Sequence, residues 1–254
     1  MDQLADARRW VRTAERVVVL TGAGTSTDSG IPDFRGPNGL WTKNPEAEKA
    51  SNLTDYLSNA DLRKQAWQNR LHAPLFAARP NVCHASFVTL ERRGQLLAIV
   101  TQNVDGLHQA AGNDPARVIE VHGTAHWTIC WECGDRRPMQ QILDRVRAGD
   151  PDPACVVCGG VIKSDTILFG QPLVPHVIDA ALTAADRCDL LIAAGSSLSV
   201  FPAANVVPRA KSAGAKVVIA NGERTGMDRY ADALLLGPLR DTLPALCGGP
   251  AASA

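Results

Sequence analysis

Short apolar runs that stop abruptly at glycine or polar residues recur along the chain, and a segment with helical spacing usually follows. Uninterrupted apolar runs of this length are typical of strands buried on both faces of a parallel sheet. The six runs are residues 17–20, 96–100, 117–121, 189–194, 216–220 and 231–236. The helical segments are residues 4–13, 84–93, 175–185 and 202–213 and the stretch after residue 240. The alternation predicts an α/β fold with a doubly wound parallel sheet.

Two long stretches depart from this alternation. Residues 37–81 are polar with scattered Trp, Leu and Pro, which predicts helices and loops inserted after the turn of the first strand. Residues 124–164 lie around two cysteine pairs and contain one amphipathic stretch, 139–146, which is too little apolar surface for an independent core. We therefore expect one sheet domain with two insertions and a frayed tail. The expected sheet domain comprises residues 1–36, 82–123 and 165–247, and the tail is 248–254.

The composition narrows the partners and the location. The 254 residues are 45% apolar and 20% charged, which is the composition of a folded domain rather than a disordered chain. Lys and Arg (26) balance Asp and Glu (26), so we expect neither a nucleic-acid partner nor attraction to a membrane. Charges run through the first sixteen residues, which excludes a secretory signal and predicts a cytoplasmic protein. The oligomeric state is not predicted.

Four of the seven cysteines form two pairs, each with two intervening residues, and residues 134–154 separate the pairs. This spacing lets four thiolates reach one ion, and Gly134 and Gly159 supply the tight turns. A closed shell of four thiolates predicts one structural zinc per chain. Alternatives are two redox dithiols, four buried cysteines, or His126 as a rival fourth ligand. The predicted ligands are Cys130, Cys133, Cys155 and Cys158, while Cys83, Cys188 and Cys247 are expected to be small buried hydrophobes.

The first strand runs into TGAGTSTDSG, which places Gly22 and Gly24 where backbone N–H groups approach a pyrophosphate. A G-x-G-x-x-G pattern fails because Thr27 occupies the third glycine position, and no strand ends in an acidic residue about twenty positions later. These departures disfavour an ordinary hydride-transfer dehydrogenase. A glycine turn that only connects strand to helix is the simpler alternative.

Polar residues follow four other predicted strands. The carboxyl ends of parallel strands meet at one crevice, so these residues are expected to converge on a ligand. Together they are able to bind ribose hydroxyls and move a proton, although each one alone is compatible with a surface or packing role. The residues are Thr101, Gln102, Asn103 and Asp105; His122 and Gly123; Gly195, Ser196 and Ser197; and Asn221 and Glu223.

Seven motifs follow one another along the chain: GAGTSTDSGIPDFRG, TQNVDGLH, the His-Gly of EVHG, the cysteine pairs, the FG of ILFGQ, GSSLSV and the Asn of VIANGE. In these motifs and their order the chain resembles the sirtuins, which are NAD-dependent protein lysine deacylases. The resemblance covers nearly the whole chain. It implies a Rossmann-like NAD-binding domain, a zinc-binding module at 124–164, and a cofactor-loop and helical insertion at 37–81. Acylated-lysine proteins are the implied substrates.

The resemblance also implies site residues. His122 would be the general base, with Asn103 as a second catalytic residue. The cofactor-binding residues would be Gly22, Ala23, Gly24, Ser26, Asp33, Phe34, Arg35, Trp41, Gln102, Asn103, Val104, Asp105, Gly195, Ser196, Ser197, Asn221, Gly222, Glu223 and Leu239. The substrate-binding residues would be Ile167, Phe169, Gly170, Ser199, Val200 and Phe201.

The implied products are free lysine, nicotinamide and O-acyl-ADP-ribose. Two alternatives stay open. The stretch IPDFRGPNGLWT is similar to family members described as weak deacetylases or mono-ADP-ribosyltransferases. The other alternative is a non-catalytic NAD or ADP-ribose sensor, which would have no use for a base at His122.

The chain also departs from the family pattern. Gln171 replaces the usual Glu after Phe-Gly, and Arg70 and Ala73 stand where members with an acidic-acyl pocket carry Tyr and Arg. We therefore expect Arg70 to lie at the surface or near the cofactor loop, and neutral acyl groups to be processed at least about tenfold faster than succinyl.

Overall fold

The computed structural model describes residues 2–33, 39 and 51–249. Its strands are β1 Val17–Thr21, β2 Leu96–Thr101, β3 Val118–Glu120, β4 Gly123–Cys130, β5 Arg136–Pro138, β6 Ile162–Thr166, β7 Leu190–Ala194, β8 Lys216–Asn221 and β9 Ala233–Leu236. Its helices are α1 Gln3–Thr13, α2 Leu53–Ser58, α3 Ala60–Leu71, α4 Val82–Arg92, α5 Leu107–Ala111, α6 Met139–Arg147, α7 Pro175–Arg187, α8 Val206–Ser212 and α9 Leu239–Cys247. Within these ranges, no helix combines the length and apolar composition needed to cross a bilayer.

The six apolar runs form one parallel sheet in the order β3-β2-β1-β7-β8-β9. The chain leaves β1 towards β2 and β3, then returns to place β7 on the other side of β1. Val17 pairs with Leu190 and Thr21 pairs with both Thr101 and Ala194 in this register. The order therefore reverses between β1 and β7, which is where ligands bind in doubly wound sheets. The predicted parallel sheet is confirmed.

Helices cover both faces of this sheet. Val18 and Leu20 of β1 join a core with α7 and α8, whereas Val17 and Val19 join a core with α1, α4 and α9. Every residue of β1 is buried, so alternation between polar and apolar positions is absent, as the continuous apolar run predicts. Burial of each large apolar side chain contributes about 1.5–3 kcal/mol to the stability of the fold. Because β1 contributes to the cores on both faces, it lies at the centre of the domain.

A smaller antiparallel sheet, ordered β5-β4-β6, lies within residues 123–166. The sequence predicts α6 here but not the three strands, because the polar run GTAHWTIC in β4 has no regular alternation of buried positions. The core of this unit is completed by Trp67 of α3, a residue from the other insertion. Its buried members are Trp67, Cys130, Met139, Ile142, Leu143, Val146, Cys155 and Ile162.

The remaining differences from the predicted boundaries are local. Strand β3 ends at Glu120, β9 begins only at Ala233, and a 3-10 turn at Ala203–Asn205 precedes α8. The described part of the first insertion, 51–81, contains α2 and α3, as a prediction of helices and loops expects. Residues 37, 38 and 40–50 of that insertion and residues 250–254 of the tail lie outside the described residues.

Three glycines let the turn after β1 touch the end of β7. The N–H of Gly24 donates to the carbonyl of Gly195 (2.8 Å). A Cβ on Gly24 would lie 2.8 Å from Gly195 Cα, and a Cβ on Gly22 would lie 2.7 Å from Gly195 O. Gly195 itself has a φ of +65°. Backbone meets backbone here, so side chains are excluded on steric grounds.

We expect Gly24→Ala to reduce the free energy of unfolding by about 1–3 kcal/mol, because its methyl group collides with backbone that cannot rotate away. Gly226→Ala is the matched control, since a Cβ at Gly226 meets nothing within 4 Å. The control should stay within about 1 kcal/mol of wild type. Urea unfolding measures both, and equal effects would contradict the steric argument.

Candidate active site and metal centre

Two cavities open at the carboxyl ends of the sheet strands, and Ser197 lines both. The large cavity, about 650 Å³, is lined by residues 102–104, His122, 164 and 166–173, 200–202 and Arg70, among others. The small cavity, about 400 Å³, is lined by residues 23–24, 27–28, 33, 195–197, 221–224 and 237–240. Both lie at the point where the strand order reverses.

His122 follows β3 directly and is held from both sides. The N–H of Val121 donates to Thr101 O (3.0 Å), and the N–H of Ile167 donates to His122 O (2.8 Å). The ring nitrogen Nδ1 lies 3.1 Å from the carbonyl oxygen of Gln102. A carbonyl only accepts, so Nδ1 carries the proton and Nε2 keeps its lone pair. Burial lowers the pKa of His122, although the bond to Gln102 opposes this, so the ring is a neutral base at pH 7.

Asn103 connects the large cavity to the glycine turn. It is 8% exposed, and its Nδ2 donates to Gly22 O (3.1 Å), Thr25 Oγ1 (3.2 Å) and Ser26 Oγ (3.2 Å). Its backbone N–H donates to Thr101 Oγ1 (3.0 Å). These contacts leave the amide little rotational freedom, so Asn103 presents a fixed polar group to the cavity.

Asp105 is not at the cavity surface. Its carboxylate accepts from Ser26 Oγ (2.7 Å) and from the N–H of Leu107 (2.9 Å), and the residue is 5% exposed. Neither Asp105 nor Ser26 lines either cavity. Their assignment to cofactor binding, which the resemblance implies, stays a prediction. His126, the alternative fourth zinc ligand, has its Nε2 at 2.7 Å from the carbonyl oxygen of Asp105. This nitrogen is therefore hydrogen-bonded to the backbone rather than directed at the cysteines.

The small cavity gathers the predicted residues from the ends of β7 and β8. Asn221 Nδ2 donates to Ser196 O (3.1 Å), and Gln102 Nε2 donates to Ser196 Oγ (2.8 Å), so three strand ends are tied together. Ala23, Gly24, Asp33, Gly195, Ser196, Ser197, Asn221, Gly222, Glu223 and Leu239 all line it. Sequence reasoning missed Arg240 and Asp28, which form an ion pair (3.0 Å) in its wall. No local pattern marks them, because they come from opposite ends of the chain.

The large cavity gathers most of the predicted substrate residues. Ile167, Phe169, Gly170, Val200 and Phe201 line it, and Gln171 does so as well. Phe201 is 60% exposed, which is unusual for so large an apolar side chain. Ser199 does not line the cavity; its hydroxyl lies 2.8 Å from that of Ser197. Three further predicted residues, Phe34, Arg35 and Trp41, lie outside the described residues.

Arg70 corrects the expectation of a surface or cofactor-loop position. It is half-buried and lines the large cavity together with Ala73. Its Nη2 donates to Ser164 Oγ (3.2 Å), and the guanidinium lies 4.9 Å from the ring centre of Trp67. In the described part of the chain, the buried Nη1 has no hydrogen-bond partner. A cation with an unused donor therefore forms part of the cavity wall.

The four predicted cysteine ligands form one cluster. All four Sγ atoms lie within 4.8 Å of one another, with Cys130–Cys158 at 3.5 Å and Cys133–Cys155 at 3.7 Å. A tetrahedral zinc with Zn–S bonds of about 2.3 Å needs sulfur separations of about 3.8 Å, so the spacing fits. Backbone N–H groups of Cys158 and Val157 lower the pKa of Cys155 to about 7, which favours a thiolate at this cysteine, whereas burial raises the pKa of Cys130 to about 12.

The other three cysteines, Cys83, Cys188 and Cys247, are free and buried as predicted. Burial raises the pKa of each thiol to about 12, which leaves them protonated and unreactive at pH 7.

Comparisons with known proteins agree with this geometry. The family model described as the Sir2 family matches residues 22–202. The chain is 45% identical to NAD-dependent protein deacetylase 2 of Streptomyces coelicolor, covering 92% of this chain and 97% of that one. A solved Sir2 enzyme shares 35% identity with a TM-score of 0.88, covering 97% of each chain. A Sir2 variant with deacetylated p53 peptide and 3'-O-acetyl ADP-ribose shares 29% identity with a TM-score of 0.88, covering 98% of this chain and 99% of that one.

The matched residues, 22–202, are more than half of the chain and include both cysteine pairs. The match in sequence and in fold leads to one conclusion: the chain belongs to the Sir2 family.

Proposed function

We propose that this protein is an NAD-dependent protein lysine deacetylase. It converts acyl-lysine, NAD and water into free lysine, nicotinamide and O-acyl-ADP-ribose. The observation that carries the proposal is His122, a neutral base whose Nδ1–H is held by Gln102 O (3.1 Å) in the wall of the large cavity. The deacetylase from Streptomyces coelicolor supports it at 45% identity, as does the Sir2 complex that contains a deacetylated peptide and acetyl ADP-ribose.

The two cavities suit the two halves of this reaction. The small cavity has the glycine turn, polar strand ends and Glu223, which fit the diphosphate and adenosine ribose of NAD. The large cavity has apolar walls at Ile167 and Phe169, which fit an acyl-lysine side chain. Exposed Phe201 is available to pack against the substrate peptide. Ser197 lines both cavities, so the acyl group and the NAD ribose would meet beside His122.

NAD, when bound, supplies a ribose carbon activated by the positively charged nicotinamide leaving group. The chain supplies orientation and a proton acceptor. Nε2 of His122 accepts the proton of a ribose hydroxyl, and Gln102 keeps the ring in the tautomer that allows this. Asn103 holds the glycine turn against the cavity, and the apolar walls exclude water from the reacting atoms.

We also propose that the cysteine cluster holds one structural zinc. Four thiolates fill a tetrahedral shell, so the ion has no open position for substrate and contributes folding energy only. It adds to the small core of the unit around β4–β6. The predicted limits of this module, residues 124–164, belong to the same proposal.

Product analysis tests the function and separates it from the alternatives. The purified protein is incubated with NAD and an acetyl-lysine peptide, and products are identified by mass spectrometry. A deacetylase yields nicotinamide, free lysine peptide and acetyl-ADP-ribose in equal amounts. ADP-ribose attached to protein would instead identify a mono-ADP-ribosyltransferase, and NAD binding without any product would identify a sensor.

We expect His122→Ala to lower kcat by about two to four orders of magnitude, the usual contribution of a positioned base, with NAD affinity little changed. His176→Ala, an exposed histidine on α7, is the control and should leave kcat unchanged. Steady-state kinetics and calorimetry measure both quantities. Retention of most activity in His122→Ala would place the base elsewhere.

The pH profile follows from the same residue. The base works only when neutral, and burial lowers the pKa of His122 below its ordinary value of 6.5. Activity should therefore persist below pH 6.5 and fall only as the pH drops through the lowered pKa. An acid limb of kcat/KM centred above pH 6.5 would contradict this.

We expect Arg70→Met to lower the ratio of desuccinylation to deacetylation at least tenfold in kcat/KM, about 1.4 kcal/mol, because Arg70 is a cation in the wall of the large cavity and would attract an acyl carboxylate. Arg70→Lys keeps the charge and should lose less. An unchanged ratio in Arg70→Met would show that the guanidinium does not meet the acyl group. The preference of the wild-type protein for neutral acyl groups stays a prediction.

We expect one zinc per chain, and Cys130→Ser to lose it and unfold the small sheet. Cys188→Ser is the control, because Ser can keep the bond that the buried thiol donates to Ala185 O. Metal analysis and thermal melting are the measurements. Pure protein without zinc, or an unchanged melting temperature in Cys130→Ser, would refute the site.

A further inference from the structure

Two buried histidines lie behind the glycine turn, and the chemistry described above uses neither. His84 is on α4 and is 0% exposed, and His108 is on α5 and is 1% exposed. Their ring centres are 5.0 Å apart, with 59° between the ring planes. One nitrogen of each ring, His84 Nε2 and His108 Nδ1, is buried without a hydrogen-bond partner in the described part of the chain. Buried polar atoms without partners are rare and need a physical explanation.

The tautomer of His84 follows from its capping role. The backbone N–H of Asn81 donates to His84 Nδ1 (3.2 Å), so this nitrogen is an acceptor and carries no hydrogen. Burial lowers the pKa of His84 to about 4, which keeps the ring neutral at pH 7. A neutral ring has one N–H, and it must be at Nε2. The partnerless atom of His84 is therefore a donor.

The tautomer of His108 follows from two threonines. The hydroxyl of Thr21 donates to Thr101 Oγ1 (2.8 Å), so its hydrogen is already used. His108 Nε2 lies 3.0 Å from Thr21 Oγ1 and must be the donor in that contact. Burial lowers the pKa of His108 to about 3, so Nδ1 has no hydrogen at pH 7. The partnerless atom of His108 is therefore an acceptor.

We propose that one buried water joins His84 Nε2–H to His108 Nδ1, and that the joined pair positions Asn103 for the deacylation reaction. The partnerless donor and the partnerless acceptor lie on rings in contact, and a water that accepts from one and donates to the other satisfies both. Asp105 interacts electrostatically with His84, but its carboxylate is bonded to Ser26 and to the N–H of Leu107.

The completed chain of hydrogen bonds closes around the glycine turn. At one end, Asn81 Nδ2 donates to Thr25 O (2.9 Å) and holds the turn. At the other end, Thr101 Oγ1 accepts from the N–H of Asn103 (3.0 Å), whose side chain returns to Thr25 Oγ1 (3.2 Å). His84 and His108 bridge these ends. They fix the turn and Asn103 relative to each other without placing a charge behind the cavity.

Nitrogen-15 NMR of the histidine rings tests the pair without any enzyme assay. Between pH 6.5 and 8 we expect both His84 and His108 to be neutral with the proton on Nε2. A crystal structure at high resolution should show a water between the two rings. An Nδ1–H tautomer or a charged ring in either residue, or an empty gap between the rings, would overturn the link.

Kinetics test the positioning role, which rests on the proposed deacetylase function. His84→Phe and His108→Phe should each lower kcat about tenfold or more with peptide KM within about threefold, since small misplacements of reacting groups are costly. The double variant should be no worse than the poorer single one, because both break the same link. Phe87→Leu is the control: its ring lies 5.8 Å from that of His108 but has no polar atom.

Each kinetic outcome decides the positioning role. At a comparable loss of melting temperature, Phe87→Leu should keep kcat within about twofold. If Phe87→Leu lowered kcat as much as the histidine variants do, the pair would have only a packing role. The same would follow if the losses of kcat in the two single variants multiplied in the double variant. A wild-type protein with no deacylase activity would refute the proposed function, and the NMR tautomers would still decide the pair.

Discussion

The backbone contact between the glycine turn after β1 and the end of β7 is the constraint on which both cavities depend. Gly24 N–H donates to Gly195 O, and side chains at Gly22, Gly24 or Gly195 would collide with backbone. The contact brings strand ends that are far apart in sequence to one edge. It also fixes the distance between the polar small cavity and the apolar large one. Without this contact, the side chains that line the small cavity would no longer be aligned with those that line the large one.

The groups beneath this edge are polar, and the carboxylate of Asp105 among them accepts two hydrogen bonds. His122 is neutral because burial disfavours its charged form, and it keeps one tautomer because a carbonyl oxygen faces Nδ1. The same physical rule holds for His84 and His108. Buried polar groups of this kind stabilise a single arrangement only when every donor meets an acceptor, which makes them sensitive to single substitutions.

The metal centre stabilises the small unit around β4–β6. The unit around β4–β6 buries few large side chains of its own, and Trp67 from α3 supplies the largest. A four-thiolate zinc adds the stabilisation that such a small core lacks. Because α3 also presents Arg70 to the large cavity, the packing of the metal unit and the shape of this cavity wall are coupled through one helix.

The sequence by itself determined the parallel sheet, the zinc ligands and the strand-end residues, because these depend on local patterns: continuous apolar runs, fixed cysteine spacing and polar residues directly after strands. Tertiary structure decided the rest. Asp105 is bonded to Ser26 and lines neither cavity, Arg70 lines the large cavity, and Asp28 meets Arg240 from the other end of the chain. The strands of the small sheet also depend on partners outside themselves, since β4 has no alternating pattern. Such features arise from contacts between distant segments, whose side-chain directions no local periodicity encodes.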